Sequence, residues 1–392
     1  MRASPSPVHP GRSRLVTLCS VAMLLVGALL LAQLWSCSES GPFLIGFAGP
    51  LEGKYSDLGV QGRNGAQLAI ELENTRGGIN GRKLKLIAQH DGYSAEEAQV
   101  AIQALKESGV KVVIGHMTSA QSMASYDLAE KLKLPRISPT TSTPLLSHRE
   151  DLFFRVISSS RDWANGLATY CRTVDKTRTV VTLQDRDNEA YSLPFNQIFE
   201  KRFIALGGTV LDQIDIRSSS IKDWNDIAKR IASSGAEALT VALSARDLAA
   251  LARQLRVQNI DIPIYSSMWA YTRELTLAGG KAVEGIIFAV SYTGDNKRSE
   301  FTNFQVHYQE RFGWPPNYAA AFGFEAASVL IEALRWGGGD PSLLSESIMA
   351  MGNHPGVSGP IRFDEFGDVI RPSFIVTIRD RTFVTLTTIE ND

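Results

Sequence analysis

Phe43-Leu44-Ile45-Gly46-Phe47-Ala48-Gly49-Pro50 opens the stretch that decides the fold: an apolar run of strand length, closed by Gly49-Pro50. A run without polar alternation is the pattern of a strand buried on both faces. From Gly59 to Arg76, residues Ala66, Ala69, Ile70 and Leu72 recur at helical spacing, and Gly77-Gly78 stops the helix. Asn80-Gly81 is a turn signal, and Lys83–Gln89 is strand-like again.

The alternation continues outward from there. Ala95–Ser108 reads as a helix, Val110–Ile114 as a buried strand and Ala120–Lys133 as a helix. Pro135–Ser138 and Phe153–Ile157 are short strands. The rhythm then restarts with strands at Thr179–Leu183, Thr209–Ile216, Ala238–Leu243, Pro263–Ser267 and Gly285–Val290. Helices Leu193–Leu206, Ile221–Ser234 and Arg246–Val257 lie between them. Two helices follow, near Phe301–Phe312 and Tyr318–Trp336. Gly359–Phe363 and Phe374–Arg379 read as strands around a tight turn at Asp364–Asp368. Strands alternating with helices predict an α/β protein whose parallel sheets are covered on both faces. Two such series predict two doubly wound, Rossmann-like lobes, as does a body of roughly 350 residues, too long for one ordinary core. The sequence shows no internal repeat and no low-complexity segment.

A different segment precedes this body. Arg2, Arg12 and Arg14 come first, Leu15 to Trp35 carries no charge, and Leu34-Trp35-Ser36-Cys37 leads into Ser38-Glu39-Ser40. A basic start, an apolar middle and small residues at the end describe an export signal. Cys37 directly after a small residue resembles the lipobox of bacterial lipoproteins. That resemblance implies a signal peptide over 1–36, lipidation of the Cys37 thiol, and a body tethered outside the cytoplasm. An apolar run of about 20 residues also fits an uncleaved anchor helix. Either way the body is exported, to the periplasm or the cell surface.

Composition excludes several classes. The leader holds three of the 40 basic residues and none of the 41 acidic ones, so the mature balance is 37 against 41, or −4. No basic block is present, which argues against a nucleic-acid partner. Beyond Cys19 and Cys37 only Cys171 is left, so no internal disulfide forms; in a helical context a buried, inert thiol is expected. Ala48 to Tyr55 superficially resembles a phosphate loop, but Ala48 and Tyr55 stand where glycine and Ser/Thr are needed. There is no dinucleotide fingerprint and no nucleophile elbow. None of His9, His90, His116, His148, His307 and His354 has a metal-ligand spacing; His116, at a strand end, is the one candidate worth following. No cofactor and no catalytic set is expected.

Hydroxyl clusters are more informative. The strand Val110–Ile114 runs into Gly115-His116-Met117-Thr118-Ser119, and Pro135–Ser138 runs into Pro139-Thr140-Thr141-Ser142-Thr143. In open α/β sheets, ligands gather beyond the carboxyl ends of strands. Ser and Thr there supply donors that rotate to fit an anion. Two readings stand side by side: a site for a carboxylate, or simple helix caps at Ser119 and at Ser142 or Thr143.

Together these residues resemble a known family. Ile45 to Leu51, Gly59, Asn64-Gly65-Ala66 and Arg76 to Leu84 look like the opening of branched-chain amino-acid-type periplasmic binding proteins of ABC transporters. Val113-Ile114-Gly115-His116 with Ser119, Ile137 to Ser142, Asn188–Phe195 and Gly207 to Val210 continue the likeness in order, over about 43–374. The resemblance implies a type I periplasmic binding fold: two lobes, a three-crossover hinge, and a cleft that closes on a small organic ligand. Lobe 1 would span 43–157 plus 288–358, and lobe 2 would span 158–287 plus 359–392. The crossings would lie near Val156–Ser159, Glu284–Phe288 and Gly359. An ABC permease would read the closed form; the alternative is a ligand sensor on an uncleaved anchor, signalling to a membrane partner.

By position, the resemblance places Ser119 and Ser142 at the ligand carboxylate and Thr140 at a backbone contact, with Thr141 between them. Tyr191 falls at an aromatic that covers the ligand. Met268 and Trp269 fall on the second lobe's wall, where core packing is the alternative. Two departures follow. The glutamate that pairs the ligand ammonium in amino-acid binders falls at Met268 or a neighbour, where no acid is present. The small disulfide of the family falls near Tyr93 and Thr118. A buried ammonium without a partner is costly, which argues against a standard branched-chain amino acid; the expected ligand is a small carboxylate or an amino-acid-like compound.

Overall fold

Strand β1 (Phe43–Gly49) lies inside a five-stranded parallel sheet with β2 (Leu84–His90), β3 (Val113–Gly115), β4 (Arg136–Ser138) and β5 (Phe153–Arg155). The order is β2-β1-β3-β4-β5, with Phe47 in register with Ala88 on one side and Ile114 on the other. The computed structural model describes Ser4 and residues 41–389; the leader and Cys37 lie outside the described residues.

A second sheet repeats the first. Strands β6 (Thr179–Asp185), β7 (Thr209–Ile216), β8 (Ala238–Ala242), β9 (Ile264–Ser267) and β10 (Ile287–Val290) are parallel, in the order β7-β6-β8-β9-β10. This is the winding of the first sheet, a repeat of topology that leaves no trace in the residues. Antiparallel β13 (Ser373–Arg379) and β14 (Thr382–Ile389) extend this sheet beyond β10 to seven strands. The architecture is the type I periplasmic binding fold with two lobes, each a doubly wound α/β layer. Both sheets reverse their winding beside the first strand of each series, between β1 and β3 and between β6 and β8. Such switch points leave a crevice at the carboxyl ends of the strands.

The expected crossings sit later in the chain than the sequence suggested. Phe288 and Ala289 pair with both β9 and β13, and Val290 with β13, because an apolar strand buried on both faces belongs inside a sheet. Gly359–Arg362 (β12) pairs instead with Asn353–Gly356 (β11) in a separate hairpin. The Asp364 carboxylate closes the next turn by accepting from the Phe366 and Asp368 amides, both at 2.9 Å. Asp368 then meets the buried Arg155 guanidinium of β5 at 2.7 Å. The second and third crossings therefore follow Val290 and Asp368. The third passes the first, where the Arg371 amide donates to Ser158 Oγ at 2.9 Å. Beside it the Arg371 guanidinium reaches Glu325 at 2.6 Å, with both side chains almost fully buried.

Two helices set the floor of the first lobe. Helix Ser56–Thr75 packs along helix Tyr318–Trp336 through small residues. A Cβ on Gly65 would lie 1.9 Å from the Ala320 carbonyl oxygen, and one on Gly323 would lie 2.2 Å from that of Gly62. These contacts are backbone to backbone, so they cannot be relieved by a rotamer change. Gly65→Ala is expected to destabilise the protein by about 1–3 kcal/mol, as overpacking does. Thermal unfolding checks this; an unchanged midpoint would contradict the close approach.

Candidate functional site

The crevice holds a narrow pocket. Six of the seven predicted contact residues line it: Ser119, Thr140, Ser142, Tyr191, Met268 and Trp269. Ser119 follows β3, Thr140 and Ser142 follow β4, and Met268-Trp269 follow β9, so strand ends of both lobes converge on one space. Thr141 is the exception. Its hydroxyl is buried within 2.6 Å of Ser122 Oγ and 3.2 Å of the His116 carbonyl, tying the β3 and β4 loops together. Thr140 and Ser142 line the pocket, while the Thr141 hydroxyl is turned into the contacts between the two loops.

The choice between caps and ligand donors falls residue by residue. Thr118, not Ser119, caps its helix, its hydroxyl accepting from the Gln121 amide at 3.4 Å. Thr143, not Ser142, caps the turn after β4, accepting from the Leu145 amide at 3.2 Å. Among the described residues, the hydroxyls of Ser119 and Ser142 make no hydrogen bond, and both serines line the pocket. Thr140 is already engaged, donating to the Met117 carbonyl. His116 is a core residue: fully buried, with Nδ1 2.7 Å from Asp91 and Nε2 2.8 Å from Ser125 Oγ.

Sequence reasoning missed seven further lining residues. Leu58 and Tyr318 stand at the amino ends of the two closely packed helices. Met117 and Thr118 belong to the β3 loop already singled out, and Ile157 to the first crossing. Asn188 opens the Asn188–Phe195 segment and had that signal. Trp163 had none, because its helix reads as ordinary core.

No lining residue is charged. Burial pushes the Tyr191 phenol well above its usual range, partly offset by the Ser267 hydroxyl and the Trp269 backbone amide. Burial raises Tyr318 likewise, so both phenols are neutral hydroxyls. Tyr191 meets Trp269 edge-on, with ring centroids 6.0 Å apart. The pocket therefore combines hydroxyl donors at the β3 and β4 loops with an apolar, aromatic wall.

The two lobes also touch across the crevice. Lys54 Nζ lies 2.7 Å from Asp247 and also reaches Ser218. The Ala120 amide donates to Asn188 Oδ1 at 3.0 Å, and the Tyr55 and Trp269 rings are 5.3 Å apart. Between Lys54, Tyr93, Asp187 and Ser219 an outer cavity of about 810 Å³ adjoins the pocket at Thr118 and Asn188. Cys171, in the second lobe, is fully buried, and burial lifts its thiol to about 11, so it stays protonated and inert.

Comparisons with known proteins agree with this geometry. The sequence pattern of the family described as periplasmic binding protein matches residues 42–382. A leucine-, isoleucine-, valine-, threonine- and alanine-binding protein of Pseudomonas aeruginosa is 23% identical over 337 residues, covering 85% of this chain and 88% of that one. The solved leucine-binding protein of Thermotoga maritima superposes with a TM-score of 0.82 at 26% identity, covering 88% of this chain and 98% of that one. A solute-binding protein of an ABC transporter from R. palustris, solved with benzoate, gives a TM-score of 0.82 at 19% identity, covering 90% and 97%.

Proposed function

The chain belongs to the periplasmic binding protein family, whose members bind ligands without transforming them, and from that premise we propose that it captures a small organic carboxylate for an ABC importer. The free hydroxyls of Ser119 and Ser142 carry this reading. They are the two uncommitted alcohols of the β3 and β4 loops, and a carboxylate oxygen is the acceptor that suits them. Met268, Trp269 and Tyr191 cover the ligand's apolar body from the second lobe.

Closure follows from contacts on both sides. A ligand held by Ser119 and Ser142 on one lobe and by Trp269 on the other binds the closed arrangement better than the open one. The Lys54–Asp247 pair and the Ala120–Asn188 hydrogen bond add to the closed form. Hinge closure around a ligand is a recognised motion of periplasmic binding proteins. A membrane permease would then take the ligand from the closed form.

The wall has no acid to meet an ammonium, so a carboxylate without an α-amino group suits it better than an amino acid. Cys37 would be lipidated and hold the protein at the membrane surface, outside the cytoplasm. Among the described residues no helix is long and apolar enough to cross a membrane. Titration calorimetry against benzoate, 4-methylpentanoate, other organic acids and free amino acids tests the ligand class. Binding of at least one acid is expected, and heat from none of them would overturn the reading. Mass spectrometry of the mature amino terminus tests the anchor, with a lipidated Cys37 expected.

A further inference from the structure

Besides the Ser119 and Ser142 hydroxyls, the pocket is lined by two buried donors without a hydrogen-bond partner among the described residues, at Tyr191 and Trp163, and of these only the Trp163 N–H cannot also accept. Trp163 is 1% exposed, lines the pocket, and its indole Nε1 has no hydrogen-bond partner. A buried N–H left unmade is unfavourable, and buried polar groups are nearly always paired. The helix carrying Trp163 starts beside the β4 loop, where the Ser160 amide donates to the Ser142 carbonyl at 2.7 Å. Trp163 lies three residues beyond Ser160 on this helix, in the second lobe.

Building on the carboxylate reading above, we propose that Trp163 Nε1 donates a hydrogen bond to the anionic group of the ligand and is a specificity-determining residue. Three features converge on this. The indole N–H can only donate, so it selects an acceptor. The remaining donors near it, Ser119 and Ser142, are neutral hydroxyls, so a third fixed donor adds grip without adding charge. The helix that carries Trp163 is tied at its start to the β4 loop by the Ser160–Ser142 backbone bond, so the indole is held beside Ser142.

The test uses the full chain in detergent micelles with two matched pairs of probes: benzoate with benzamide, and 4-methylpentanoate with 4-methylpentanamide. The wild type is expected to favour the carboxylate of each pair it binds. Trp163→Phe keeps an aromatic wall and removes the donor. It is expected to weaken the carboxylate by about tenfold or more and the amide by much less, so the preference shrinks. Equal losses for both members, or no loss, would overturn the role of Trp163 and leave the carboxylate reading standing. Absence of binding by the wild type to either acid would overturn both. A second readout does not depend on the variant's folding. The chain has six tryptophans, and 5-fluorotryptophan labelling gives each its own fluorine resonance. The one from Trp163, assigned by its loss in the variant or by quenching next to a spin-labelled benzoate, is expected to shift on adding the carboxylate. An unmoved resonance with bound ligand would contradict the hydrogen bond.

Discussion

Replacing Ser119 and Ser142 together by alanine is expected to weaken carboxylate binding by more than tenfold, and by about a hundredfold to ten-thousandfold or more if each bond carries the usual charged strength of about 1.5–3 kcal/mol. The expectation rests on what the two hydroxyls do without ligand. Neither caps a helix, since Thr118 and Thr143 accept the orphan amides of their turns. Removing the serine hydroxyls therefore leaves the local backbone bonds in place, and the loss should appear in affinity and not in stability. Calorimetry and thermal unfolding on the same variant separate the two. A double variant that binds as tightly as the wild type would remove these residues from the site. Thr141→Val serves as the contrast. Its hydroxyl ties two loops together, so its loss should lower stability first.

A stability effect of comparable size is expected at the hinge. Glu325→Ala should destabilise the protein by about 3–5 kcal/mol, because it removes the buried carboxylate that the buried Arg371 guanidinium faces. Arg371 Nη2 reaches Glu325 Oε2 at 2.6 Å, and the same carboxylate accepts from the Ser358 amide at 2.8 Å. Burial raises the Glu325 carboxyl, and the Arg371 charge acts against that rise. Arg371 in turn shares the hinge with Ser158 of the first crossing. The loss should therefore exceed that of a surface ion pair such as Arg178–Glu237, which solvent screens. Urea unfolding of Glu325→Ala and Glu237→Ala checks the order. Similar midpoints for the two would show that the buried pair is not a structural anchor.

The alternation of strand and helix was legible because buried parallel strands are continuous apolar runs, as at Phe43–Gly49 and Ile287–Val290. The order of those strands was not, because nothing in a strand's own residues states its neighbour. The repeat of one winding in both sheets is thus visible only in three dimensions. Crossing points were displaced for a related reason. The third depends on Asp368 meeting Arg155, a contact between residues 213 positions apart. Strand Thr382–Ile389 escaped notice because a threonine-rich edge strand lacks the apolar signature of a buried one.

The site was legible where residue type and strand end coincide, which is why Ser119, Thr140 and Ser142 were found. Which neighbouring hydroxyl caps and which faces the crevice depends on backbone direction, so Thr141 was assigned with its neighbours. Trp163 carries its information in a missing bond, and a missing bond has no sequence pattern.

The central claim is that this crevice grips a carboxylate and offers nothing to an ammonium. Leucine and 4-methylpentanoate share a carbon skeleton and differ at the α-amino group alone. Titration calorimetry of both against one preparation is therefore the most direct measurement. Tighter binding of 4-methylpentanoate is the predicted result, and leucine binding as tightly or more so would contradict it.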